Sequence, residues 1–160
     1  MKSTLILIAT VVLSLTGSIN APMLTGTAQT KPGSRDAKII SAIRGVMDEQ
    51  VAAWNRGDIA GFMDGYWRSD ETIFISGDSV TRGWQTVLDR YKKGYDTREK
   101  MGTLSFSEIE IRPINKDTAV AVGRWQLARA GDTPRGRFTL IFRRVKAGWR
   151  IVHDHTSSAS

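Results

Sequence analysis

The chain has 160 residues, a hydrophobic share of 41% and a charged share of 24%, which describe one ordinary globular domain and leave no room for a second. It contains no cysteine, so disulfides, thiolate metal ligands and cysteine nucleophiles are excluded. The formal net charge is +7, but the lysines and arginines are scattered and no aromatic-basic nucleic-acid motif accompanies them. We therefore interpret the charge as a solvated basic surface and expect no nucleic-acid partner.

The first residues have the layout of a secretory signal peptide. Lys2 is the only charged residue before Lys31, and an apolar run extends from Leu5 to Leu15. This run is shorter than the roughly 20 apolar residues of a membrane-spanning helix. We therefore expect a cleaved leader, with no stable membrane insertion after cleavage and with the mature protein periplasmic or secreted. The alternative is an uncleaved membrane anchor.

Two cleavage sites are compatible with the leader. Cleavage after Ala21 would leave Pro22 at a disfavoured position, so cleavage after Ala28 is preferred and the mature chain is expected to start near Gln29. The predicted organisation is a signal peptide over 1–28, a flexible linker over 29–35, a folded domain over 36–157 and a tail over 158–160.

The first half of the domain is predicted to be mainly helical. Apolar residues recur at three- and four-residue intervals from Ile40 to Trp54, which predicts one helix between Ser34 and Asn55. Gly57 then supplies a left-handed stop, and Asp58 caps a second, shorter helix over 58–66.

The rest of the domain is predicted to be mainly β. A short hairpin turns at Gly77-Asp78, and a third helix with an apolar face follows from Trp84 to Tyr91. Four strands are then predicted, over 104–114, 118–129, 138–145 and 149–156. This order predicts an α+β fold in which a cone-shaped, curved antiparallel sheet wraps around the long N-terminal helix, with two shorter helices beside it. Element order alone leaves other α+β arrangements open.

Three motifs carry a resemblance to a known family. They are Trp54-Asn55-Arg56-Gly57-Asp58, Arg82-Gly83-Trp84, and the ending from Gly148 through His153-Asp154-His155 to Ser157. In their order and spacing, over about residues 36–157, the chain resembles the nuclear transport factor 2-like superfamily. Within it, the chain is similar to the SnoaL-like and ketosteroid-isomerase-like branch and its exported bacterial members of unknown function.

The resemblance implies a cone-shaped fold, a pocket at the mouth of the cone, and frequent homodimers that pack through the sheet. Members range from isomerases and cyclases to non-catalytic binding modules, so the fold does not determine the function. The ketosteroid isomerase mechanism is not expected here. Its carboxylate base would fall at or near Ile75, which has no proton acceptor, and its tyrosine near Gln50, whose amide is a much weaker acid than a phenol.

The last predicted strand carries the only two histidines of the chain. Strict alternation places Trp149, Ile151, His153 and His155 on one face, and the apolar pair should point toward the helices. His153 and His155 are therefore predicted to point inward, as candidate catalytic residues for acid-base chemistry. The alternative is that they form structural hydrogen bonds. Asp154 falls on the opposite face and no third ligand is apparent, so we expect no metal site and no cofactor.

Several other residues are candidates for lining a pocket. With the two histidines, the predicted lining set is Tyr66, Asp70, Trp84, Tyr91, Arg124, Trp125, His153 and His155. Aromatic residues at helical spacing also suit a core, and Asp70 also suits a turn cap. The pattern leaves open which face of the strand over 118–129 lines the pocket.

Two functions are compatible with these patterns. The first is an exported pocket protein that binds, or binds and transforms, a small, partly apolar molecule of unknown identity. The second is a non-catalytic dimerisation or protein-interaction module. A cavity above about 300 Å³ that contains His155 and a second polar group would favour the first. We also expect a homodimer.

Overall fold

The computed structural model describes residues 33–159, so the predicted leader lies outside the described residues. Four helices, α1 Ser34–Asn55, α2 Ile59–Met63, α3 Trp84–Gly94 and α4 Arg98–Met101, are found in this part of the chain. The strands are β1 Ile73–Ser76, β2 Ser79–Arg82, β3 Thr103–Asn115, β4 Thr118–Ala128, β5 Arg135–Val145 and β6 Gly148–Thr156. Within these residues no helix is both long and apolar enough to cross a membrane.

One six-stranded sheet in the order β2-β1-β6-β5-β4-β3 forms the body of the fold. The helices cover one side of it, with α1 packed on β3 and β6, and the predicted α+β cone is confirmed. Helix α1 begins at Ser34, inside the predicted linker, and ends at Asn55 as predicted. Helix α4 is an addition to the predicted elements. The sheet also departs from a purely antiparallel meander, because β1 pairs with β6 in parallel.

The end of α1 is tied to the start of β3. Asn55 forms two hydrogen bonds with the backbone of Leu104, one from its Nδ2 to the carbonyl oxygen (3.0 Å) and one to its Oδ1 from the amide (2.7 Å). The indole Nε1 of Trp54 donates to the carbonyl oxygen of Met101 at 3.1 Å. These bonds fix the end of α1 beside the start of β3, because side chains of α1 satisfy backbone groups of the segment from Met101 to Leu104.

A sharp corner connects α1 and α2. Gly57 adopts a φ of 88°, the left-handed region that glycine enters at little cost. The Asp58 carboxylate then caps α2 by accepting a hydrogen bond from the amide of Gly61 at 2.7 Å. The predicted stop and cap therefore lie where the sequence placed them, and they direct the chain toward Tyr66.

Alternating side chains form the inner face of the sheet, which we define as the face covered by the helices. Its buried members are Phe74, Leu104, Ile111, Ala119, Ala121, Leu127, Phe138, Leu140, Phe142, Trp149 and Ile151. On β4 the small-residue face is therefore the inner one. The opposite side of the sheet is the outer face.

A β-bulge interrupts the alternation in β6. Phe142 of β5 lies opposite Ile151, and the next residue, Ile141, lies opposite His153, so Val152 is the extra residue. Ile151 also accepts a hydrogen bond from the amide of Trp67 and donates one to the carbonyl of Gly65, both at 2.9 Å. Beyond the bulge, Asp154 faces inward and the histidines on either side of it face outward.

The two faces of β6 predict different responses to mutation. Trp149 is 7% exposed on the inner face, so Trp149→Ala should lower the free energy of unfolding by about 3–5 kcal/mol, as large-to-small core changes do. His155 is exposed, so His155→Ala should change it by less than about 0.5 kcal/mol. Urea denaturation of both variants measures this, and an equal loss in the two would contradict the burial of β6 described above.

Candidate functional site

A cavity of about 390 Å³ opens between the inner face of the sheet and the helices. Its deep end is formed by the buried residues Gln50, Tyr66, Ile151 and Asp154. Its walls are apolar and largely aromatic. Its mouth is formed by the exposed and half-exposed lining residues Arg90, Gly94, Tyr95, Trp125, Arg129 and Ser158. The volume lies within the range of small-molecule sites.

A carboxyl group and a phenol meet at the deep end. The hydroxyl of Tyr66 donates a hydrogen bond to Oδ2 of Asp154 at 2.6 Å, a short distance typical of a bond to an ionised or strongly polar acceptor. Asp154 is only 4% exposed and Tyr66 only 2%. The second carboxyl oxygen, Oδ1, has no hydrogen-bond partner among the described residues. Oδ1 is closed to solvent, so a ligand in the cavity would contact it only after a local shift of the Asp154 side chain, which an unpaired buried acceptor favours.

Burial determines the acidity of this pair. Removal from water raises the pKa of Asp154 to about 6, and the hydrogen bonds with Tyr66 and then with the Thr156 side chain act in the opposite direction. Burial also raises the pKa of Tyr66, and the charge of Asp154 raises it further. Burial likewise raises the pKa of Tyr91, with Asp154 as the second cause. Near neutral pH the carboxyl therefore exchanges its proton readily, while both phenols stay protonated.

Gln50 is the other polar side chain at the deep end. Its Nε2 donates to the carbonyl oxygen of Phe62 at 3.1 Å, so it links α1 to α2. The isomerase resemblance places a tyrosine near this position. In this chain the phenol instead comes from Tyr66, which follows α2.

The walls are a cluster of aromatic rings in edge-to-face contact. Trp54 lies with its ring centre 5.1 Å from that of Phe62 and 4.7 Å from that of Tyr95. Tyr91 packs 5.2 Å from Phe62 and 5.6 Å from Phe74. Such contacts stabilise the walls beyond the burial of their area and fix the ring positions.

Trp125 is held at the mouth by a close backbone approach. Its Nε1 donates to the carbonyl oxygen of Ser157 at 3.0 Å. A Cβ added at Gly136 would lie 2.8 Å from this Nε1 and closer still to the Ser157 carbonyl, so only glycine leaves room for the contact. Ser157, from the segment after β6, also bonds to the backbone of Arg137, and the chain end therefore forms part of the rim.

Three predicted lining residues, Tyr66, Tyr91 and Trp125, line this cavity. The prediction that His153 and His155 point inward is wrong, because the bulge at Val152 reverses the alternation after Ile151. Neither histidine lines the cavity. Asp154, predicted to lie on the opposite face, occupies the deep end instead.

Three other predicted lining residues also lie outside the cavity. Asp70 is exposed in the turn before β1. Trp84 starts α3, where its Nε1 donates to the carbonyl oxygen of Met63 at 2.9 Å and Arg68 covers its ring. Arg124 faces outward, where Glu108 pairs with it at 3.2 Å and with Arg137 at 2.7 Å. Asp70, Trp84 and Arg124 therefore have positions unrelated to a ligand in this cavity.

The described residues contain no cluster of three or more histidine, aspartate or glutamate side chains arranged to hold a metal ion. The sequence signal for this candidate site is Asp154 itself. Asp154 is the one acidic residue of β6, and a buried carboxylate is unusual unless it is paired or functional.

The sequence profile of the SnoaL-like domain matches residues 43–160. The chain is 39% identical to an NTF-2 like protein of unknown function from Shewanella oneidensis MR-1, with a TM-score of 0.72. That similarity covers 74% of this chain and 98% of the Shewanella chain. No curated protein matches the sequence.

More distant solved structures share the fold. One is a nuclear transport factor 2 (NTF2-like) superfamily protein from Salmonella enterica, with 23% identity, a TM-score of 0.63, and coverage of 78% of this chain and 94% of that one. Another is a protein with unknown function of the DUF3225 family from Pectobacterium atrosepticum, with 20% identity, a TM-score of 0.63, and coverage of 78% and 93%.

The raised pKa of Asp154 predicts a pH-dependent stability. The folded state holds this proton up to about pH 6, whereas the ordinary pKa is 3.8. The stabilisation is therefore complete below about pH 4 and is lost as the pH rises through about 6. Asp154→Asn keeps an acceptor for Tyr66 but cannot ionise, so relative to the wild type it should gain about 2–3 kcal/mol between pH 4 and pH 8.

Urea denaturation at pH 4 and pH 8 measures this gain. Asp70→Asn, an exposed carboxyl in a turn, is the matched control and should show no comparable change. A difference between wild type and Asp154→Asn that stays constant with pH would contradict the burial of the ionisable group.

Proposed function

The chain belongs to the SnoaL-like domain family, and we propose that its cavity binds a small, largely apolar molecule on which Asp154, held in place by Tyr66, carries out proton transfer. The observation that carries this proposal is the buried carboxyl at the closed end of an aromatic cavity, with one oxygen left without a partner. A structural carboxyl would be expected to use both oxygens, because an unsatisfied buried acceptor lowers stability.

The arrangement supports acid-base chemistry at a carbon next to a carbonyl. With a pKa of about 6, ionised Asp154 is a base of suitable strength near neutral pH and can return the same proton as an acid. Tyr66 holds Oδ2 in place through its 2.6 Å hydrogen bond, so we assign the contact with the substrate to Oδ1, which a small shift of the Asp154 side chain would bring to the cavity surface. Tyr66 is in this sense a positioning residue, and its own proton stays on its oxygen.

The apolar walls support the choice of substrate. An aromatic lining favours a flat or alicyclic body, and a carbonyl compound of one or two rings fits a volume of about 390 Å³. The exclusion of water from the deep end also strengthens the electrostatic interaction of Asp154 with a polarised group there. The proposed location is the periplasm or the exterior of the cell, and it rests on the leader predicted from the sequence.

Exchange of acidic C–H protons tests the proposal without the natural substrate. We expect the protein to accelerate deuterium exchange of 2-tetralone in heavy water, measured by proton NMR, with a rate that rises through about pH 6 as Asp154 loses its proton. Asp154→Asn should lower this rate by at least about 100-fold, the usual contribution of a general base. Tyr66→Phe should shift the pH profile because Asp154 loses its hydrogen bond.

His155→Ala, on the outer face of the same strand, is the matched control and should exchange at the wild-type rate. Equal rates for the wild type and Asp154→Asn would contradict the proposal, as would exchange no faster than that in an equal concentration of acetate. Binding of 2-tetralone without exchange would contradict proton transfer by Asp154 and would indicate a binding protein that is not a catalyst.

A second candidate, the dimerisation module, is favoured by the outer face of the sheet. Val120, Ile141, His153 and Ile73 lie side by side there on four neighbouring strands. In the next row Val122 is 38% exposed. Three of the four side chains in this row are apolar, and apolar side chains grouped on an open sheet face are typical of a surface that a second copy covers.

We expect static light scattering at tens of micromolar to give twice the mass of one mature chain. Replacement of Val122 by aspartate should shift the mass toward that of one chain, because a charge would then be buried at the interface. A single-chain mass for the unmodified protein would count against the dimer, and it would leave the proposal for the cavity unaffected.

A further inference from the structure

Two arginines from different parts of the chain lie at the mouth of the cavity. Arg90 belongs to α3, and Arg129 follows directly after β4. Apart from these two, the only charged residue that lines the described cavity is Asp154, which lies at the deep end. Charge is therefore separated along the cavity, with cations at the mouth and the single carboxyl inside.

Each guanidinium lies over an aromatic ring of the lining. The Cζ of Arg90 is 5.2 Å from the ring centre of Phe74, and that of Arg129 is 5.9 Å from the ring centre of Tyr95. An arginine supported by a ring keeps its rotamer and still presents N–H groups at its edge. The rings therefore hold both cations beside the space that a ligand would fill.

The N–H groups of these two arginines form few hydrogen bonds, all of them long, with the described residues. Arg129 reaches Asp132 only at 3.6 Å, and the Asp132 side chain is 59% exposed. The Nε of Arg129 is buried and has no hydrogen-bond partner among the described residues. Arg90 donates one long bond, from Nη1 to Oγ1 of Thr81 at 3.3 Å. The Nε of Arg129 is closed to solvent, so a ligand at the mouth would meet the Nη groups of the two arginines, which make only these long contacts.

Tyr95 shows that both cations act on the same part of the mouth. Burial raises the pKa of its phenol, and the charges of Arg129 and Arg90 both act against that rise. Two positive groups thus lie within electrostatic range of one hydroxyl. An anion bound at this part of the mouth would be attracted by both cations.

We infer that the ligand is a monocarboxylic acid with an apolar ring body, bound with its carboxylate between Arg90 and Arg129 and its body on the aromatic walls. This inference rests on the ligand-binding cavity proposed above and adds the charge class of the ligand. A carboxylate is favoured because its two oxygens match the planar N–H edge of a guanidinium. The reacting end of such a molecule then lies toward Asp154, away from its own charge.

A comparison of isosteric probes tests the inference. Calorimetric titration with 2-naphthoate and with 2-naphthamide measures the effect of the charge, because the two molecules have nearly the same shape. We expect the wild type to bind the carboxylate about tenfold or more tightly than the amide, and the preference to shrink as salt is added. Arg129→Gln and Arg90→Gln should each weaken naphthoate binding by about five- to tenfold and leave naphthamide binding unchanged.

Arg68→Gln is the matched control. Arg68 also lies over an aromatic ring, that of Trp84 at 4.5 Å, but it does not line the cavity. It should leave both affinities unchanged. The inference is overturned by equal binding of the two probes, by no naphthoate binding at millimolar concentration, or by an Arg68→Gln effect equal to that of Arg129→Gln.

This experiment and the exchange experiment can fail separately. A carboxylate preference that depends on Arg90 and Arg129 would establish the ligand class even if Asp154 catalysed no exchange, because only binding is measured. Conversely, exchange of the neutral 2-tetralone with no carboxylate preference would support the proposed function and overturn the charge class.

Discussion

Strand β6 has to pair with different partners along its length, and this constraint determines what the cavity contains. Its first half lies between β5 and the segment from Gly65 to Trp67, and its second half pairs in parallel with β1. One extra residue, Val152, lies at the change of partner as a bulge. Because of it, Asp154 follows Ile151 on the inner face and meets the hydroxyl of Tyr66. The contact between Asp154 and Tyr66 is thus a product of backbone pairing.

The motif from Trp54 to Asp58 has a structural role that serves the same pair. Trp54 and Asn55 attach α1 to the backbone near β3, and Gly57 and Asp58 turn the chain into α2. The turn brings the segment after α2 against β6, where Tyr66 forms an isolated bridge with Ile151. The motif that carries the family resemblance therefore positions a tyrosine outside the motif.

Local patterns predict most of the fold and only part of the site. The ends of α1 and the start of α2 follow from apolar spacing, Gly57 and Asp58, because those signals act within one turn of helix. Tyr66 and Tyr91 lie on the inner sides of their segments for the same reason. The orientation of His153 could not be predicted, because alternation assumes an uninterrupted strand and the bulge depends on partners about 10 and 85 residues away along the chain. The parallel pairing of β1 with β6 is equally non-local.

The bulge at Val152 also affects how this chain should be compared with its relatives. A strand that absorbs one additional residue as a bulge keeps the inward side chains beyond it unchanged, whereas a strand of the same composition without a bulge would present His153 and His155 inward. Two homologues can therefore carry the same carboxyl at the same depth although their last strands differ in length by one residue. An alignment that counts positions from Trp149 without a gap would equate Asp154 with a surface residue. Alignments of the last strand need to be anchored on the hydrogen-bonded partners in β5 and β1.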